Sequence, residues 1–95
     1  MITEPTFDAV LCAIADARHA CADRQSDLTA AVYADVLSLG RRAVPASRKG
    51  QALLRKLVSL VAGIADFEAQ ISARHGKDAA PHYAVRDACR AALEA

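Results

Sequence analysis

A chain of 95 residues with a formal net charge of +1 is sized for a single domain, 1–95, with a core small enough that oligomerisation would help to complete it. Two phenylalanines, two tyrosines and no tryptophan argue against a β-sandwich or barrel core, and against single-strand nucleic-acid binders that stack bases on exposed rings. The charge is unevenly spread: residues 1–40 sum to −4, residues 41–50 to +4 and residues 51–95 to +1.

In chain order, Thr3-Glu4-Pro5 predicts a helix start, with a capping hydroxyl followed by an acid and a proline in the first turn. Phe7, Leu11, Ile14 and Cys21 then recur at helical spacing, which puts one face of a first helix, about 4–24, against a core. The stretch 23–27 is polar on every side, and Ser26 can cap a second helix over 27–39. No glycine or proline breaks the chain there, so two helices or one continuous helix both fit the sequence. The second helix runs through Leu28, Val32, Val36 and Leu39 to Gly40, a natural stop.

Residues 41–50 form a basic connector in which Pro45 forbids helix and Ser47 can cap the next one. The third helix, about 48–75, carries Leu53, Leu57, Leu60, Ile64, Phe67 and Ile71 at alternating spacings of four and three, a heptad-type seam. Leu54, Val58, Val61 and Ala65 widen that apolar arc, so this helix is expected to be the most buried and to need several neighbours. Gly76 ends it, and a fourth helix over 79–94 would turn Val85, Cys89 and Leu93 inward. The expected fold is all-α: an antiparallel bundle of three to four helices, forming a dimer, with sequence neighbours packed together.

Cys12, Cys21 and Cys89 are odd in number and form no CxxC, so they read as reduced, mostly buried thiols of a cytoplasmic protein. The first basic residue is Arg18, so a signal peptide is not expected. The longest apolar run, 57–65, falls short of the roughly 20 residues a membrane span needs.

Three groups of residues are candidates for function. Arg41, Arg42, Arg48 and Lys49 on the connector could grip phosphates or an acidic protein; the plain alternative is a solvated loop. The connector is too long, and Pro45 too badly placed, for a helix-turn-helix, and the phosphate-cradling G-x-x-x-x-G-K pattern is absent. Cys12, Asp16, His19 and Asp23 share one side of the first helix and include metal-ligand types. One straight helix cannot wrap four ligands around an ion, however, so an exposed charged face explains them as well. The seam Leu53, Leu57, Leu60, Ile64, Phe67 and Ile71 is either core or an association surface.

No nucleophile elbow or zincin pattern appears, so the expected activity is binding rather than catalysis, with no cofactor. The first expectation is a small helical protein–protein interaction module: an adaptor, accessory subunit or inhibitor that dimerises with itself and binds another protein. The alternatives are a nucleic-acid-binding accessory protein using 41–50 and a metal-binding bundle. No membrane association is expected.

Overall fold

The computed structural model describes residues 1–22 and 25–95. Among them are four α-helices and one 3₁₀ turn: α1 Glu4–Cys21, α2 Asp27–Leu39, the turn Arg41–Ala43, α3 Arg48–Arg74 and α4 Ala80–Glu94. The first two helices are therefore separate elements, and α1 ends at Cys21 rather than near residue 24.

Local chemistry sets these boundaries. Thr3 and Thr6 cap each other's backbone at the start of α1, Thr3 accepting from the Thr6 N–H and Thr6 from the Thr3 N–H. Ser26 accepts from Thr29 N at the start of α2, and Ser47 accepts from Gly50 N at the start of α3. The carboxylate of Asp78 accepts from Ala80 N ahead of α4, whose first turn holds Pro81. At the end of α3, Gly76 takes φ +69°, and Lys77 N and Gly76 N bond back to the carbonyls of Ser72 and Ala73. That pairing consumes acceptors the helix would otherwise leave open.

Long-range ties give the topology. The Met1 ammonium donates to Ala95 O at 3.0 Å, Arg55 donates to Leu93 O at 3.1 Å, and Arg41 meets Asp8 at 3.2 Å. The start of α1, the end of α2, the start of α3 and the end of α4 therefore share one end of the molecule. At the other end the Glu68 carboxylate accepts from Ser26 N at 2.8 Å and from the Thr29 hydroxyl at 3.3 Å. The result is an up-down-up-down four-helix bundle. α4 packs extensively on both α3 and α1, whereas α2 touches α1 and α3 along less of its length. The 27 residues of α3 span about 40 Å, which sets the 42 Å long dimension of the molecule.

The core is built largely from small and medium side chains: Phe7, Val10, Ile14 and Ala17 from α1, Tyr33 and Val36 from α2, and Val85, Cys89 and Ala92 from α4. From α3 come Leu54, Val58, Val61 and Ala65. The Leu53–Ile71 seam, for which the sequence left core and association surface both open, is thus not the row at the centre of the core. The six buried positions 54, 58, 61, 65, 68 and 72 are that seam shifted by one residue, a rotation of about 100°, and every one of them is buried. Leu53, Leu60 and Phe67 point to solvent, and Leu57, Ile64 and Ile71 are half-buried. α3 is thus covered on one side only.

The connector also differs from the expected free strap. Its charges face water, but its backbone is pinned. Gln51, buried at the first turns of α3, donates to Pro45 O at 3.0 Å and exchanges hydrogen bonds of 2.9 Å with both backbone groups of Ile2. Arg48, Lys49 and Gly50 already belong to α3. Gly50 lies directly under the Pro45 ring: a Cβ there would sit 2.6 Å from the Pro45 side chain and 3.0 Å from Ser47 Oγ.

Alanine is a better helix former than glycine, yet Gly50→Ala is expected to destabilise the fold by about 1–3 kcal/mol, because the overpacked Pro45 must move. Urea unfolding followed by circular dichroism checks this; an unchanged or raised midpoint would show that the loop yields freely.

Candidate interaction face

The most prominent surface feature is the outward side of α2 and α3. Leu28 (65% exposed), Leu39 (49%), Leu53 (60%), Leu60 (55%) and Phe67 (65%) all present large apolar side chains to water. Leu57, Ile64 and Ile71 lie half-buried beside them. Two shallow depressions mark the face. One, of about 340 Å³, is lined by Leu28, Thr29, Leu60, Gly63, Ile64 and Phe67. The other, of about 300 Å³, lies at the connector end among Leu39, Ala43, Pro45, Leu53 and Leu57. No charged residue occurs between Leu57 and Ala65. Together the five side chains expose on the order of 500 Å² of apolar surface, at the upper end of the largest patch usual for a monomer.

The sequence placed Leu28 and Leu39 inside, but Thr29 and Tyr33 take the buried side of α2 instead. Both assignments fit helical spacing. Glu68 decides between them, because its carboxylate holds Ser26 N and Thr29 and so fixes the rotation of α2.

All four connector cations, Arg41, Arg42, Arg48 and Lys49, are exposed at the same end of the bundle. Arg41 Nε sits 3.2 Å from Asp8 Oδ1, so the acidic α1 and the basic connector meet within one chain. Such an exposed pair contributes about 0–1 kcal/mol. Arg48 and Lys49 oppose the dipole at the start of α3, where acidic residues would be favoured, so helix stability does not account for them.

Of the metal candidates, Cys12, Asp16 and His19 are exposed on α1, and Asp23 lies outside the described residues. Among the described residues no three histidine, cysteine or acidic side chains are placed to hold a metal ion. His82 and Cys89 are buried instead, and so is Tyr33, which shares a 3.0 Å hydrogen bond with His82 Nδ1. Sequence reasoning did not single out His82 as buried; in the first turn of α4, its position next to Pro81 gave no sign that it faces inward. It also missed Gln51 and Glu68. Both fall on the shifted stripe of α3, as polar residues near either end of an apolar row, and that phase was the only available signal.

Burial pushes the Cys89 thiol up to about 12. Burial, with the nearby charge of Glu68 second, raises the Tyr33 phenol well above its ordinary value. Neither group is an activated nucleophile or base; each keeps its proton.

This burial has two measurable consequences. Below the ordinary thiol value of 9.0 both native and unfolded chains hold the Cys89 proton, and its contribution to stability is complete. Above it the unfolded chain loses that proton while the native chain keeps it, and Tyr33 adds the same effect from pH 10.0 upward. Unfolding free energy measured by urea titration should therefore fall as pH rises above about 8, with the early part of the fall removed by Cys89→Ala. Stability that rises between pH 9.0 and 10.0 would contradict the buried thiol. In the second test, a thiol reagent added to native protein should label Cys12 rapidly and leave Cys21 and Cys89 until denaturant is added.

Among the described residues no helix is long and apolar enough to cross a membrane. The chain matches no protein-family model, no curated protein and no solved structure.

Proposed function

We propose that the protein is a small helical interaction module that acts by binding a protein partner through the apolar face of α2 and α3. One observation supports this above all: Leu53, Leu60 and Phe67, three of the six large side chains of the more hydrophobic stripe on α3, are left outside the core. A monomer gains nothing from holding Leu53, Leu60 and Phe67 in water. Each such side chain contributes about 1.5–3 kcal/mol when fully buried. Contiguous apolar patches of this size mark protein contacts. The exposed cations Arg41, Arg42, Arg48 and Lys49 sit at one end of the face, where they would speed encounter with an acidic partner and fix its orientation. Three cysteines, none of them in a disulfide, suit a reducing compartment such as the cytoplasm.

Co-purification from the native host tests the proposal. Leu60→Glu/Phe67→Glu replaces two exposed side chains and should keep its helical circular dichroism, yet lose proteins that the unaltered chain retains. Replacing Arg41, Arg42, Arg48 and Lys49 with alanine should weaken capture mainly at low salt. If the captured proteins are unchanged by the double glutamate variant, the face is not the binding site. If nucleic acid is captured instead and depends on the four cations, the protein belongs to a different functional class.

A further inference from the structure

We propose that the occupant of this face is a second copy of the chain, with the two α3 helices crossing antiparallel about a two-fold axis beside Gly63. The inference rests on the reading of α2 and α3 as an interaction face and names its partner.

The first support is the order of the seam. In a two-fold contact, if one residue touches a second across the interface, the second touches the first in return. The spacings from Leu53 to Ile71 run four, three, four, three, four and read the same in either direction. Turning one α3 end for end about the point midway between Leu60 and Ile64 sets Leu60 against the partner's Ile64. The same operation sets Leu57 against the partner's Phe67 and Leu53 against the partner's Ile71. Every large side chain of the row meets another.

Gly63 is the second support. It is exposed in the middle of a 27-residue helix, with no positive φ and no atom within 4 Å of where its Cβ would be. Neither backbone conformation nor packing within the protomer calls for glycine there, although glycine inside a helix is destabilising relative to alanine. It lies one residue past the midpoint of the seam, and Ser59, a small side chain one turn earlier, is exposed as well. A glycine at that place lets two backbones approach closely where they cross.

Charge supplies the third. The uncharged stretch 57–65 is bounded by Lys56 and Asp66. Without a charge in that stretch, the two seams can meet with no ion taken out of water; Asp66 itself is turned to Arg86 of α4, 3.0 Å away.

Light scattering on the eluting protein at about 100 µM, where an interface of micromolar affinity is occupied, should give twice the 10.0 kDa chain mass. Leu60→Glu/Phe67→Glu should return it to 10.0 kDa with its helix content intact. In a Cys12→Ser background, a short bismaleimide should link Ile64→Cys to its own copy, about 6 Å away along the helix. Leu53→Cys alone should not link, since its two copies would lie ~27 Å apart along the helix, whereas Leu53→Cys mixed with Ile71→Cys should. A 10.0 kDa species at that concentration overturns the self-partner, while the co-purification experiment independently decides whether the face binds something else. A dimer in which Leu53→Cys links to itself overturns the antiparallel register. A dimer indifferent to the double glutamate change overturns both this inference and the reading of the face.

Discussion

Two apolar stripes run side by side along α3, and helices of 18, 13 and 15 residues cover only one of them. The stripe they cover is the one with the smaller side chains. Val58, Val61 and Ala65 let α4 lie close, and the buried Ala17 of α1 and Ala92 of α4 are equally small. Close packing of thin side chains gains dispersion contacts over many atoms, which offsets their modest individual hydrophobicity. The Leu/Ile/Phe stripe is consequently turned outward, and the molecule's most conspicuous surface is a by-product of how its core is packed.

Polar residues near the ends of the buried stripe give that choice its direction. Gln51 satisfies three backbone groups of the amino terminus and the connector, and Glu68 holds the first residues of α2. A buried polar side chain left without partners costs about 1–3 kcal/mol. Rotating α3 by one residue would strand both of them and would swing leucines into space sized for valine and alanine. These bonds therefore act against the alternative rotation as much as for the observed one. Tyr33 and His82 tie α2 to α4 in the same manner within the core.

Much of the architecture was legible in the chain. The caps at Thr3, Ser26 and Ser47, the stops at Gly40 and Gly76 and the proline in the connector act through the backbone within a few residues of themselves, so they fix helix limits without reference to the rest of the molecule. Phe7, Ile14, Val85 and Cys89 were also placed inside correctly, because on α1 and α4 the buried arc is narrow enough for spacing to locate it, whereas on α2 only Val36 of the expected row is fully buried. The candidate face was legible as a row of residues but not as a surface.

Local propensity and residue spacing were enough to dictate an all-α chain of three or four helices, the helix limits to within a few residues, and the positions of its charges. Packing in three dimensions settled which of two adjacent stripes on α3 meets the core and that α4 closes against α1. It also settled that a carboxylate, an amide and an imidazole are buried. Those outcomes depend on how bodies of a given width fit together and on which distant backbone group each polar side chain reaches, and neither can be expressed as a spacing along one helix.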